Sequence, residues 1–306
     1  MTKGTTLRLN MMISTLLKSI RLPFLVLAPV CVFLASSLVI YEQTNLNYVV
    51  LILALLGGLF AQISVNALNE YLDFTSGLDA MTKRTAFSGG SGALIEAPEM
   101  KNWVLYVALL SLLVTITIGV FFYYVRGPII FVYGILGIFL ILAYTRWLNK
   151  SALACLIAPG LGFGTIMVTG CHFALSGMHT SGSLFAGFVV FFLTNNLLLL
   201  NQFPDIDADQ QVGRNHMAIR YGVVTATKVY SLFAILAALT LLIAIISKSL
   251  PPLTAIALLP LSAGIYCFYG CKKYGKSLGD KPLYLAVNTI ITLLVPVIIA
   301  TSLLLS

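Results

Sequence analysis

Nine apolar runs, each close to the length of a membrane crossing, limit what this chain can fold into: about 20–41, 48–69, 102–124, 128–147, 151–176, 183–203, 222–247, 252–274 and 283–305. A helix crossing the bilayer hydrocarbon takes about 20 mostly apolar residues. Pro, Gly and polar residues break the sequence at matching intervals. The runs are continuous and do not alternate every second residue, which argues against a transmembrane barrel. Of the 306 residues only 9% are charged and 59% are hydrophobic, against about 25% charged in a soluble domain. An ordinary water-soluble enzyme is therefore excluded, and no length remains for a second domain. The N-terminus resembles a signal peptide, but its apolar stretch is too long for one and reads as the first span. The expectation is an all-α, multi-pass membrane protein, residues 1–306 forming one domain of nine helices.

With nine spans, the connections alternate between the two membrane faces and the basic residues sort with them. Of 18 Lys and Arg, all but Arg126 and Lys248 fall on one face. The positive-inside rule puts that face and the N-terminus in the cytoplasm of a cell (inner) membrane, with the C-terminus outside. The net charge of +8 is thereby a matter of topology, and nucleic-acid binding is not needed to explain it.

The ten acids are more selective. Glu42 and Asp280 stand alone. Glu70, Asp73, Asp79, Glu96 and Glu99 follow the second run, and Asp205, Asp207 and Asp209 follow the sixth, both on the cytoplasmic face. Acids at the end of an apolar helix are costly unless paired, solvated or bound to metal. Gln62, Asn66, Asn69 and Asp73 are spaced to share one helix face, as are Asn201, Asp205 and Asp209. Pro204 interrupts the second pattern, and Gly77 breaks the first helix so that Asp79 can turn back toward the site. Asn-x-x-x-Asp at both helix ends, each followed by basic residues, is a weak internal repeat. It predicts two four-helix halves facing one another around a central chamber, with a ninth helix added. Facing carboxylates repel unless hard cations separate them. Mg2+ prefers oxygen ligands and is typically shared between carboxylates and phosphate, and nearby Arg and Lys suit the remaining phosphate charge. The spacing favours this for Asp73, Asp79, Asp205 and Asp209, whereas Glu96 and Glu99 read as solvated loop residues.

At these residues the sequence resembles the UbiA superfamily of intramembrane prenyltransferases. Asn69, Asp73 and Asp79 stand where that family has an NDxxDxxxD-like motif on helix 2, and Asp205 and Asp209 where it has DxxxD on helix 6. The segment Asp73–Asp79, Ser88–Gly92, Asp205–Arg214 and Gly164–Gly170 look most like the 1,4-dihydroxy-2-naphthoate branch of menaquinone biosynthesis. Glu70 departs from the usual Asp, Gln202-Phe203-Pro204 departs from the second motif's usual lead-in, and Lys150 is more like the benzoate-prenylating enzymes.

The resemblance implies a reaction. Mg2+ held by Asp73, Asp79, Asp205 and Asp209 binds the diphosphate of an allylic isoprenoid, with Lys83, Arg84, Lys150 and Arg214 neutralising its charge. Asn66, Asn69 and Asn201 orient ligands or phosphate oxygens. Breaking the C1–O bond leaves an allylic cation, shielded by Tyr71 and Tyr144, which an electron-rich aromatic acceptor attacks in a water-excluding chamber. Gly89, Gly90 and Gly92 fit a cap over the diphosphate or a plain connecting loop, and Arg220 fits either lipid or substrate.

Other residues read as structural. The five cysteines, Cys267 and Cys271 among them, are small core residues and not a disulfide framework. His172 and His179 fall toward the outer interface, and His216 lies beside the second acid cluster. Asn195, Asn196 and Asn288 read as interhelical hydrogen bonders. Three rival functions remain. A terpene cyclase or a prenyl-diphosphate hydrolase would use the same metal site without an acceptor. A transporter would instead place its binding groups near the bilayer midplane.

Overall fold

The computed structural model describes residues 3–85 and 87–306. Among them there are helices and turns but no strands. Helix α1 (Lys3–Ser19) precedes the first apolar run and meets it at Arg21, whose left-handed backbone (φ 54°) turns the chain into the short 3-10 segment Leu22–Val26 and then α2 (Leu27–Tyr41). Helix α3 (Tyr48–Thr75) begins where the Asn47 side chain accepts from Val49 N and Val50 N. Its 28 residues span about 42 Å at 1.5 Å per residue, more than the ~30 Å of hydrocarbon. It is long enough for its last turns, with Asp73, to reach past the apolar layer.

The chain continues through α4 (Leu78–Met81), α5 (Ala93–Glu96), α6 (Lys101–Arg126), α7 (Ile129–Ala143) and α8 (Ala152–Gly160). A π-helical stretch, Leu161–Gly170, joins α8 to α9 (Cys171–Ser176). Then come α10 (Ser181–Asn201), α11 (Ile206–Gln211), α12 (Met217–Arg220), α13 (Gly222–Ile246), α14 (Leu258–Ser262), α15 (Gly264–Tyr274) and α16 (Pro282–Leu304).

Among the described residues, eight helical units are long and apolar enough to cross a membrane. The expected span at 128–147 is the exception: α7 has 15 residues, roughly 22 Å at the helical rise. The expected run at 252–274 is broken into the 3-10 segment Pro252–Ala257, α14 and α15, in keeping with prolines at 251, 252 and 260, which lack the amide proton a helix interior requires. Large apolar side chains, among them Leu110, Ile135, Val224, Ile246 and Leu259, are exposed around the outside, as a lipid-facing surface requires. The protein is an integral membrane protein.

The largest buried cluster joins α2, α10, α13, α15 and α16 through residues such as Leu34, Val190, Tyr230, Cys267 and Val295. Helix α3 packs along α6, α10 along α13, and α16 lies against both α2 and α10. Polar groups tie the helices where apolar packing alone would leave register loose. Pro159 interrupts α8, and the next amide, Gly160 N–H, donates to Asn195 Oδ1 at 2.6 Å. Asn196 Nδ2 donates to Tyr230 O, Tyr230 Oη to Asn288 Oδ1, and Asn288 Nδ2 to Asn196 O. Gly164 and Gly187 bring two backbones together: a Cβ on Gly164 would stand 2.3 Å from Gly187 O.

At the opposite end of the bundle from the aspartates, Glu42 joins three elements. His172 Nε2 lies 2.8 Å from its Oε2, and Thr180 Oγ1 donates to its Oε1 at 2.6 Å. Arg126 donates Nε–H to Ala174 O at 2.7 Å and also reaches Leu175 O. His172 is fully buried, not interfacial as expected, because Glu42 draws it inward.

Candidate active site

Both aspartate segments open onto one cavity of about 1070 Å3. Its acid end is lined by Asn66, Asn69 and Asp73 of α3, Asp79 of α4, Asn201 at the end of α10, Asp205, Asp209 of α11, and Arg214. Deeper in, the walls are apolar: Val65, Leu140, Ile141, Phe163, Ile166, Met167 and Leu197. Spacing of three and four along α3 puts its asparagines and Asp73 on one face. At α10, Pro204 does not extend the helix through the second motif. The chain turns at 202–205 and resumes as α11, so that Asp205 and Asp209 still face Asp73 across Arg214.

Arg214 is the electrostatic centre of this arrangement. Its Nη1 lies 2.9 Å from Asp209 Oδ1, and its Nη2 pairs with Asp73 Oδ1. Burial works against its charge, but the carboxylates of Asp73 and Asp209 outweigh that and raise its pKa. His216, also buried, places Nε2 at 3.2 Å from Asp209 Oδ2. Burial pushes the Asp79 carboxyl up to about 7, helped by the negative charges of Glu70 and Asp73. Asp205 is likewise raised to about 7 by burial and by Asp209, although the Gly89 amide and Arg214 oppose the shift.

Four buried oxygens around this cavity have no hydrogen-bond donor: Asn69 Oδ1, Asp79 Oδ2, Asn201 Oδ1 and Asp205 Oδ1. Buried polar atoms are normally satisfied, and an all-oxygen set of carboxylates and amides suits a hard cation such as Mg2+. The donor set therefore fits that ion. Among the described residues no three His, Cys, Asp or Glu side chains converge as a ready metal cluster; Arg214 stands between the two motifs.

The UbiA prenyltransferase family matches residues 26–290, most of the chain. The chain belongs to the UbiA prenyltransferase family. It is 29% identical over 167 residues to a 1,4-dihydroxy-2-naphthoate octaprenyltransferase of Bacillus subtilis (strain 168), a match covering 54% of this chain and 52% of the relative. The match thus spans about half the length of that curated relative. The fold is similar to that of the apo structure of a UbiA homolog from Aeropyrum pernix K1, with TM-score 0.70 and 13% identity over 92% of this chain and 98% of the other. A UbiA homolog from Archaeoglobus fulgidus bound to DMAPP and Mg2+ is similar at TM-score 0.67 and 14% identity, over 95% and 100% of the two chains.

Against this UbiA framework the expected site residues divide. The four aspartates, Asn66, Asn69, Asn201, Tyr144 and Arg214 all line the cavity. Asn66 also spends its Nδ2 on Ile20 O at 2.9 Å, tying α3 to the α1–α2 corner. Four others do not line the cavity. Tyr71 packs beside Ala67 and Leu94, because two residues before Asp73 means about 200° around the helix. Lys83 pairs with Asp280 at 2.9 Å in solvent. Arg84 lies 3.9 Å from Glu96 and against Gly92. Lys150 is exposed. In their place stand Arg21 and Lys18, which line the acid end from the α1–α2 corner. In the sequence these two basic residues speak only to topology, and no spacing rule links them to motifs so far along the chain.

Proposed function

We propose that the protein is a Mg2+-dependent prenyltransferase that moves an allylic isoprenyl group from its diphosphate to an aromatic acceptor, with 1,4-dihydroxy-2-naphthoate favoured. The reading is carried by one observation: four aspartates from two distant segments meet at the mouth of a single apolar cavity, with unsatisfied oxygens among them. The Bacillus subtilis relative named for the naphthoate reaction and the homolog bound to DMAPP and Mg2+ support it. In this reading the nine apolar segments all cross the membrane as two four-helix halves plus one, and the acid end faces the cytoplasm.

Asp73, Asp79, Asp205 and Asp209, with the amide oxygens of Asn69 and Asn201, would hold Mg2+, which supplies Lewis-acid stabilisation of charge on the departing diphosphate. Arg214 and Arg21 contribute charge-assisted hydrogen bonds to phosphate oxygens. Tyr144, lining the same cavity, offers a π face to the allylic cation formed as C1–O breaks. The apolar walls take the isoprenoid tail and keep out water that would quench the cation. The acceptor's ring carbon then bonds to C1 and the ring loses a proton, or carbon dioxide in the naphthoate case.

The test is a matrix of prenyl diphosphates against naphthoate, benzoate and homogentisate acceptors with purified protein, read by mass spectrometry. Prenylated naphthoate that vanishes on chelation is the expected product. Diphosphate release with no prenylated acceptor anywhere in the matrix would replace transfer by cyclisation or hydrolysis. Asp73→Ala and Asp205→Ala should each abolish turnover.

A further inference from the structure

Glu70 belongs to the first acid segment but lies outside the cavity wall. It is fully buried, and its two oxygens are committed to one residue of the connecting loop. Ser91 Oγ donates to Oε1 at 2.6 Å and Ser91 N–H to Oε2 at 3.2 Å, while Arg21 Nη2 lies 3.9 Å from Oε2. Ser91 Oγ in turn accepts from Ala93 N–H at 3.0 Å, which leaves the hydroxyl proton for Glu70. The two preceding residues touch the aspartates. Gly89 N–H donates to Asp205 Oδ2 at 3.1 Å, and a Cβ on Gly90 would stand 2.6 Å from Asp79 Oδ1. Both glycines have positive φ (83° and 73°), a conformation that glycine adopts without steric cost. Three consecutive residues thus rest on three acids drawn from both segments, and Glu70 is the only one of the three outside the cavity wall.

We propose that Glu70 is a positioning residue that fastens the Gly89–Ser91 strap across the acid end, closing it over a bound prenyl diphosphate. This rests on the prenyl-diphosphate reading of the site. A carboxylate suits the task because both Ser91 groups are donors; an amide would set an N–H against the Ser91 N–H. With the strap loose, water reaches C1. Its oxygen bonds to C1 as the C1–O bond to diphosphate breaks, the bonding pair leaves with diphosphate, and the surplus proton passes to solvent. Prenyl alcohol then forms in place of the prenylated acceptor.

The experiment compares wild type with Glu70→Ala, Glu70→Gln, Ser91→Ala and the Glu70→Ala/Ser91→Ala double variant, each as full chain in detergent with Mg2+. Three readouts apply: the ratio of prenyl alcohol to prenylated acceptor, KM against kcat for prenyl diphosphate, and the rate of trypsin cleavage after Lys83 and Arg84. Losing a hydrogen bond to a charged group should raise the alcohol ratio and KM by about tenfold or more, with faster cleavage. Glu70→Gln should fall between. Ser91→Ala removes the hydroxyl bond but keeps the Ser91 N–H bond to Glu70, so it should move every readout the same way by less than Glu70→Ala, and the double variant should be no worse than Glu70→Ala alone. Unchanged cleavage and product ratio in Ser91→Ala, or multiplying effects in the double variant, would overturn the proposal. Cleavage needs no substrate, so a wild type that makes no prenylated product sinks the functional reading alone.

Discussion

Arg214 reaches a carboxylate from each motif at once through the two ends of its planar fork, a geometry that lysine's compact ammonium does not reproduce. Arg214→Lys should therefore weaken prenyl-diphosphate binding by about ten- to a hundredfold, the worth of one or two charge-assisted hydrogen bonds. Lys150→Ala, which removes an exposed charge, should leave binding within about twofold. Titration calorimetry with a non-hydrolysable diphosphate reads both. The raised carboxyls of Asp79 and Asp205 give a second expectation. Protons and Mg2+ compete for these oxygens, so Mg2+ affinity should rise with pH through about 7, where both groups titrate, and binding should release protons. Calorimetry in buffers of different ionisation enthalpy measures that release; none at pH 6 would remove these two residues from the ligand set. For the metal-free fold the sign is opposite. The folded state holds the extra protons, so the stability these groups contribute below the usual carboxylate range is lost as pH rises through about 7. At this scale Asp73 and the α3 asparagines were legible because side chains three and four apart share a helix face, whereas Asp79 and Asp205 reach the cavity through the turns at Gly77 and 202–205. The same arithmetic, applied to Tyr71, turns it away from Asp73. The roles of Lys83, Arg84 and Glu70 were not legible, since each depends on the path of the loop after Gly77.

Between elements, the contact of α8 and its π-helical continuation with α10 is held by both a buried hydrogen bond and a close backbone approach. Asn195→Ala leaves Gly160 N–H buried without an acceptor, and should cost about 1–3 kcal/mol. Gly187→Val forces a side chain into a position whose Cβ alone would stand 2.4 Å from Thr169 Oγ1 and 2.9 Å from Gly164 O, and overpacking of that kind costs about 1–3 kcal/mol or more. Thermal unfolding in detergent should show both, with Asn195→Ala having little effect on cavity chemistry. The apolar runs revealed most spans because composition alone decides whether a segment can face lipid. They did not reveal α1, which is too polar to cross, or the π turns at 161–170, which arise from how α8 and α10 fit together. Nor did they show the short α11 and α12, set by the turns around Pro204 and Gly213.

For the molecule as a whole, the proposed orientation rests on where the basic residues fall. In a cysteine-free background, Asn45→Cys should react with an impermeant maleimide added outside intact cells, and Lys150→Cys only after the cells are opened. The reverse pattern would invert the topology. The apolar exterior and the helical character could be anticipated at this scale. The helix-to-helix arrangement could not, because lipid-facing and partner-facing apolar residues look alike in a sequence.

The tie of Glu42 to His172 and Thr180, with Arg126 on the carbonyls of Ala174 and Leu175, gives the bundle a mechanical polarity. It pins α2, α6, α9 and α10 together at the end remote from the aspartates. A bundle held more firmly at one end flexes as a cantilever does, with amplitude growing toward the other. Substrate entry then calls for splaying around the acid mouth and little movement at the clamp. Amide hydrogen exchange should record this as a gradient, slow across 170–182 and fast across 82–97. Glu42→Gln, which weakens the clamp, should flatten it.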